Sequence, residues 1–343
     1  MIRAALLSPN ESFLDLLVGN TQPDRRNDDL TLNRFSRRAM ATYFEVLLPF
    51  GCQQALEAAH AVLDLIDDLE DQLSIFRPHS ELSQINQRAY QDDASVETGL
   101  FALLELASAI TWDTRGAFDV AAGALSKAWG FYQRSGRVPS VAERVAAMSR
   151  TGMRHVVLNP VSRSVRYLRE GLEINLGGIG KGYALDRAGD VLRSRGVKAG
   201  MIHGGMSSVL ALGTPPTEPR GWGVSLRHPW DENRSIGVVH LRDQAIGTSA
   251  ATYQFFEYNG RKLGHILDPR KGWPAEGLHQ VTVIAPTAVE ADALSTALYV
   301  MGLEAAREYC RTHPRIAAVL LPTCEADPLI LNLAPSDFTP SPS

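Results

Sequence analysis

The sequence predicts an α+β fold, a single mixed domain in which strands are flanked by helices. One observation is a helical period over residues 55–73, where apolar side chains recur every three or four positions. Another is a series of short β-rich segments separated by Gly and Pro, which runs through residues 281–284. No internal repeat or clear linker divides the chain. These features favour one domain over two.

The individual elements follow from local signals. Asn159-Pro160 lies between two short β-rich segments, which predicts a hairpin. Gly196 follows a helical pattern and is a plausible C-cap. In chain order the predicted elements are strand 43–48, helix 55–73, a largely buried helix 100–110, hairpin strands 155–158 and 165–168, helix 183–195, strand 281–284, helix 288–301 and a final strand 316–321.

The two ends of the chain differ in composition from its middle. Residues 1–33 are polar and rich in Asp, Asn and Arg, which predicts a flexible N-terminal arm. Residues 335–343 are rich in Pro and Ser, which predicts a disordered tail. The folded domain is therefore expected to span residues 34–334.

The amino-acid composition and net charge exclude some classes of protein function. At 343 residues, with 45% hydrophobic and 21% charged residues, the chain resembles an ordinary globular protein with a full core. A net charge of −4 argues against a nucleic-acid-binding protein, and the three cysteines match no zinc-site spacing. The apolar run at residues 4–7 is shorter than the roughly 7–15 residues of a signal-peptide core. The sequence as written thus predicts a cytoplasmic protein, and a start site further upstream would allow an exported one.

Two segments near the C-terminal end carry candidate chemistry. His265 and Asp268 lie three residues apart, just before a turn marked by Pro269. Asp292 and Thr296 lie at i and i+4 of a predicted helix, so their oxygens share one face, a geometry suited to a hard cation. On spacing alone, a surface position is an equally good explanation of Asp292.

A third segment, residues 177–182, reads GGIGKG and opens a predicted helix. It is not a P-loop, because Asn175 stands where the first Gly belongs and Gly182 replaces the Ser or Thr. It also lacks the glycine spacing of a dinucleotide fold. A glycine-rich turn at a helix N-terminus can still bring backbone N–H groups close to a phosphate.

Taken together and in order, six segments resemble the motifs of the FAD:protein FMN transferases, the ApbE family of flavin transferases. The resemblance runs from about residue 40 to about residue 302 and implies an α+β, T-fold-like domain of the ApbE type over residues 34–334. The matching segments are MAT at 40–42, LSIFRP at 73–78 with SELS at 80–83, GAFD at 116–119, LGGIGKGYA at 176–184, HILDP at 265–269 and ADALST at 291–296.

The resemblance also implies roles for residues at matching positions. Mg²⁺ would be bound by the Asp292 carboxylate, the Thr296 hydroxyl and the backbone carbonyls of Gly180 and Ser295. His265 would be the general base, with Asp292 the second catalytic residue. Phe76 would stack on the isoalloxazine ring. The complete set of implied FAD contacts is Met40, Phe76, Ala117, Phe118, Asp119, Gly177, Lys181 and Ile266.

Four positions depart from the family pattern. Asn175 stands where the family usually has Asp, and Gly180 where it favours Ala. Met206 and Ala250 replace an acidic or amide residue and a Gly. None of these changes removes a side chain implied in metal binding or proton transfer.

The function implied is Mg²⁺-dependent transfer of FMN from FAD to a Ser or Thr hydroxyl of a target protein, with release of AMP. The target would carry a short motif of the Ser-Gly-Ala-Thr type. Two alternatives stay open at this point. The protein could bind FAD without transfer, or could be an FAD pyrophosphatase that uses water and yields FMN and AMP.

Overall fold

The structure is a computed structural model that describes residues 30–133, 136–231, 234–250, 255–323 and 326–341. Within them the helices are α1 Ala55–Leu73, α2 Glu81–Arg88, α3 Thr98–Asp113, α4 Gly123–Ala128, α5 Val141–Met148, α6 Gly180–Ser194, α7 Ala288–Met301 and α8 Leu303–Thr312. The strands are β1 Leu32–Ala39, β2 Thr42–Pro49, β3 Ala94–Ser95, β4 Val156–Asn159, β5 Ser164–Tyr167, β6 Gly200–Gly204, β7 Ser208–Leu212, β8 Trp222–Arg227, β9 Ser235–Leu241, β10 Ala245–Ala250, β11 Phe255–Tyr258, β12 Arg261–Gly264, β13 Leu267–Asp268, β14 Trp273–Pro274, β15 Gln280–Ala285, β16 Ala317–Leu321, β17 Leu329–Leu331 and β18 Phe338–Pro340.

An eight-stranded antiparallel sheet, in the order β1-β2-β6-β7-β10-β15-β16-β17, organises the molecule. Helices cover one face of this sheet and a second, smaller sheet covers the other, because alternate side chains along each strand point to opposite faces. In β7, Leu210 and Leu212 pack with the helices, whereas Val209 and Ala211 pack against the small sheet β18-β9-β8. The result is three layers, with helices, a central sheet and a second sheet. The α+β prediction is confirmed.

The helical layer follows from apolar periodicity. In α1 the buried residues recur at helical spacing, with Val62, Ile66 and Leu69 on the face that enters the main core. Helix α7 is different, because it is buried on nearly all sides, between the main sheet and α6. Two buried polar residues on it, Asp292 and Ser295, therefore stand out.

Two glycines permit the close packing of α7. A Cβ on Gly182 of α6 would lie 2.2 Å from the Ala288 carbonyl oxygen, and one on Gly247 of β10 would lie 2.2 Å from that of Ala291. Neither position accepts a side chain. Asp186 of α6 also accepts hydrogen bonds from the backbone N–H groups of Ala288, at 2.8 Å, and Val289, at 2.9 Å, and so caps the N-terminus of α7.

Most predicted elements are confirmed. Helices 55–73 and 288–301 match α1 and α7, and the hairpin 155–168 is β4 paired with β5. Strand 316–321 is present as β16 but is not the final strand, because β17 and β18 follow it. Strand β1 was not predicted, because three of its eight residues are arginines.

The expected ends of the domain need correction. Residues 1–29 of the predicted arm lie outside the described residues, and β1 already begins at Leu32. The disorder predicted from residue 335 is wrong for β18, which pairs with β9 and buries Phe338 in the core between the two sheets. A single apolar anchor and a strand partner outweigh the surrounding Pro and Ser. Among the described residues, no helix is long and apolar enough to cross a membrane, and the cytoplasmic location stays a prediction.

Candidate active site

A cleft with a volume of about 1240 Å³ opens at one end of the main sheet. Strands β2, β7 and β10 form its floor, and the start of α6, the middle of α7 and the turn after β12 form its walls. Ten of the thirteen predicted site residues line it. These are Phe76, Ala117, Phe118, Asp119, Gly177, Lys181, His265, Ile266, Asp292 and Thr296.

The other three predicted site residues lie outside this lining. Met40 occupies the first position of the two-residue turn between β1 and β2, with φ 49°, and packs half-buried against the main core. Gly180 and Ser295 are buried at the start of α6 and on α7. Their predicted contribution is a backbone carbonyl, which needs no exposed side chain.

Asp292 is the most constrained carboxylate of the cleft. Its oxygens accept hydrogen bonds from the backbone N–H of Gly182 at 3.1 Å and from the Ser208 hydroxyl at 3.2 Å. The ammonium group of Lys181 lies 3.3 Å and 3.5 Å from the two oxygens. The Asp292 side chain is only 6% exposed, so these contacts replace water around a buried charge.

Hydroxyl groups surround this carboxylate. Thr296 lies one turn along α7, and its hydroxyl is 3.2 Å from that of Ser249 on β10. Ser249 is also 2.9 Å from the Ser295 hydroxyl. Ser208 and Ser249 were not among the predicted site residues. They reach the site through strand pairing, for which the sequence around them carries no short-range signal.

The donor atoms near Asp292 suit a hard cation. Mg²⁺ prefers oxygen ligands and commonly uses one or two carboxylates with hydroxyl groups, carbonyls and waters. The Asp292 carboxylate with the Thr296 hydroxyl fits that preference. Nowhere in the described parts of the chain do three or more His, Cys, Asp or Glu side chains gather as a metal cluster, so a site of the zinc type is not found there.

The glycine-rich turn is held by Asn175, whose side-chain oxygen accepts a 2.9 Å hydrogen bond from the backbone N–H of Gly177. Amide and carboxylate oxygens both accept such a bond. The change from the family's usual Asp therefore preserves this turn. Gly177 and Gly178 line the cleft beside Phe118, whose ring lies 3.3 Å from the position that a Cβ on Gly178 would take.

His265 lies between β12 and β13, where it lines the cleft. The following turn is fixed by Asp268, whose buried carboxylate accepts hydrogen bonds from the backbone N–H of Arg270 at 3.0 Å and from its guanidinium at 2.8 and 2.9 Å. The Asp268 carbonyl accepts a further bond from Gly272. Asp268 thus holds the turn in place.

Aromatic groups occupy the other end of the cleft. Phe76 is 69% exposed and meets Tyr132 edge to face, with ring centroids 5.9 Å apart. An exposed ring at a cleft wall is available for stacking. Asp119 is held by backbone N–H groups of Ala121 and Met153. Burial raises the pKa of Asp119, although these hydrogen bonds act in the opposite direction.

A second polar pair in the lining, formed by Glu45 and His203, was not predicted. His203 Nε2 lies 2.9 Å from Glu45 Oε2, and its Nδ1 lies 3.1 Å from the Gly205 carbonyl oxygen. Arg34 also donates to Glu45. Burial acts to raise the pKa of Glu45, but hydrogen bonds from His203 and Arg34 outweigh it and lower the pKa. The pair joins β2 to β6 at the cleft floor.

Comparison with known proteins agrees with this architecture. The model of the ApbE family matches residues 40–320. A protein of Klebsiella pneumoniae named FAD:protein FMN transferase is 33% identical over 267 residues, covering 77% of this chain and 81% of that protein. The Escherichia coli K12 protein of the same name is 29% identical over 300 residues, covering 84% of each.

Solved structures give the same result. The ApbE protein of Thermotoga maritima superposes with a TM-score of 0.78 and 27% identity, covering 91% of this chain and 97% of that one. The apo flavinyl transferase ApbE of Pseudomonas stutzeri gives the same values. With the family model matched over most of its length and the fold shared throughout, this chain belongs to the ApbE family.

Proposed function

We propose that this chain transfers FMN from FAD to a Ser or Thr hydroxyl of a target protein, releases AMP, and uses Mg²⁺ bound at Asp292 and Thr296. The relatives at about 30% identity are named FAD:protein FMN transferases, which supports the reaction. The observation that carries the proposal is the meeting of three predicted groups in one cleft. They are the glycine-rich turn, the Asp292–Thr296 pair and His265.

The reaction is a displacement at phosphorus. The acceptor hydroxyl oxygen forms a bond to the phosphorus on the FMN side of the FAD pyrophosphate. The bond from that phosphorus to the bridging oxygen breaks, and AMP leaves with that oxygen. The hydroxyl proton passes to the imidazole of His265, which acts as the general base.

Pyrophosphate oxygens are negatively charged and repel an incoming oxygen nucleophile, so the site must supply positive charge and exact placement of the reacting groups. A bound Mg²⁺ supplies that charge. Gly178 and Lys181 both line the cleft, and they contribute a backbone N–H group and an ammonium group. They are placed to orient the pyrophosphate oxygens. Phe76 offers an aromatic face for a flavin ring.

The test is a transfer assay. The purified chain is incubated with FAD, Mg²⁺ and a peptide bearing a Ser-Gly-Ala-Thr motif, and mass spectrometry measures the peptide. We expect a mass gain of one FMN group that is lost in Asp292→Asn and His265→Ala and kept in His60→Ala. His60 is an exposed residue of α1 outside the cleft lining and serves as the matched histidine control.

The other outcomes would replace the proposal. FAD that stays bound and intact would identify a binding protein. Free FMN and AMP with an unmodified peptide would identify a pyrophosphatase that uses water.

A further inference from the structure

The contact between Lys181 and Asp292 has a consequence for how metal and FAD bind. We propose that the Lys181 ammonium is an exchangeable counter-ion of the Asp292 carboxylate. A divalent cation that binds Asp292 must displace this ammonium, which then pairs with the pyrophosphate of FAD. The two ligands are therefore coupled through one side chain. The inference rests on the proposed function in taking FAD as the ligand and Asp292 as the carboxylate that binds the cation.

The three donors to Asp292 differ in their freedom to move away. The backbone N–H of Gly182 is fixed by α6, and Ser208 is fully buried on β7. Lys181 differs from both. Its side chain is 23% exposed, lines the cleft and carries the ammonium group on a flexible four-carbon stem. Rotation of that stem removes the ammonium while the other two donors keep the carboxylate in place.

Lys181 is held in place mainly by Asp292. It is the second residue of α6, and the positive end of a helix dipole disfavours a cation there. Among the described residues, Asp292 is its only carboxylate within ion-pair distance, and Lys181 is likewise the only cation at Asp292. Each charge thus depends on the other when no ligand is bound, because the carboxylate is buried.

The arrangement of positive and negative charges favours binding of both ligands together. The Lys181 ammonium lies 3.3 Å from an Asp292 oxygen, so a cation that binds this oxygen repels the ammonium. Conversely, when no cation is bound, a pyrophosphate that reaches Lys181 comes close to the Asp292 carboxylate and is repelled by it. With both ligands bound, negative and positive charges alternate from Asp292 through the cation and the pyrophosphate to Lys181. Each ligand should therefore strengthen binding of the other.

Calorimetric titration tests this without any transfer step. Mg²⁺ is titrated into the FAD-free full chain as wild type, Lys181→Met and Lys198→Met, where Lys198 is an exposed lysine outside the cleft lining. Removing a unit charge this close to the ligand should tighten Mg²⁺ binding in Lys181→Met by roughly tenfold. The Lys198→Met variant should bind as wild type does. Equal or weaker Mg²⁺ binding in Lys181→Met would overturn the proposal.

A second titration measures the coupling. FAD is titrated with and without Mg²⁺, and chromatography verifies that the FAD stays intact. Mg²⁺ should tighten FAD binding in wild type and in Lys181→Arg, and by a much smaller factor in Lys181→Met. If Lys181→Met does not fold, Asp292→Asn serves instead. It should bind FAD more tightly than wild type in the absence of Mg²⁺, because Lys181 is released and the repelling carboxylate is gone. Weaker FAD binding in that variant would refute the exchange.

Discussion

Gly182 makes the sharpest test of how the site is built, since the substitution Gly182→Ala adds one methyl group where two backbones touch. The added Cβ would lie 2.2 Å from the Ala288 carbonyl oxygen and 2.7 Å from Val289 Cα. Ordinary contact begins near 3.4 Å, so α6 and α7 must separate by about 1.2 Å. Both obstructing groups are backbone and have no rotamer with which to move aside.

The expected magnitude follows from that separation. Overpacking of this kind costs up to about 3 kcal/mol, and the helix preference for Ala over Gly returns about 1 kcal/mol. We therefore expect the free energy of unfolding to fall by about 2 kcal/mol. The same movement stretches the 3.1 Å hydrogen bond from Gly182 to Asp292. A displacement of about 1 Å at reacting groups lowers rates by roughly 100-fold, so FMN transfer should fall by about that factor.

Urea unfolding and the mass-spectrometric transfer assay measure the two quantities. Gly180→Ala is the matched control for stability, since its added Cβ would meet Leu176 at an ordinary 3.8 Å. Its free energy of unfolding should stay the same or rise slightly. Wild-type stability and transfer in Gly182→Ala would show that the close approach of α6 and α7 does not position Asp292.

Three further predictions concern separate parts of the cleft. Asp292→Asn should lower the initial rate of FMN transfer by at least about 100-fold, because the cation loses its charged ligand. A smaller loss in the mass-spectrometric assay would show that Asp292 is not the cation ligand. Phe76→Ala should raise KM for FAD by roughly 10-fold with unchanged thermal stability, because an exposed ring contributes stacking but little core packing; an unchanged KM would remove Phe76 from the flavin site. Burial raises the pKa of Asp186 to about 6, so the folded state holds this proton more tightly than the unfolded state does, and ionisation of Asp186 lowers stability as pH rises from about 4 to about 6. Urea unfolding across that range should show wild type losing stability relative to Asp186→Asn as pH rises, and a constant difference would contradict the raised pKa.

The sequence predicted the parts of this molecule that depend on local patterns. Helix α1 has the predicted bounds because its apolar residues recur at helical spacing, and α7 because Thr287 caps its start and Gly302 follows its end. The two ends were predicted less well. In β1, an edge strand, arginines obscure the alternation of apolar and polar residues. Around β18, Pro and Ser dominate the local composition and hide the signal of its single apolar anchor.

The candidate site divides in the same way. Residues within short motifs, such as His265 and Asp292, were found, and the structure brings them to one cleft. Partners that arrive through long-range strand pairing were missed. Glu45 and His203 are 158 residues apart in sequence and meet because β2 pairs with β6. No local spacing encodes such a contact.

The cap that Asp186 places on α7 has a consequence for motion. Together with the Gly182 contact, it makes the Lys181 and Asp292 side of the cleft a single preorganised body, which has little ordering entropy left to lose when ligands bind. The side that carries His265 is built differently, because Leu263 and Leu267, which flank His265, belong to a separate small apolar cluster. Accommodation of target proteins with different shapes is therefore expected to fall on the His265 side, while the pyrophosphate-binding side stays constant from one target to the next.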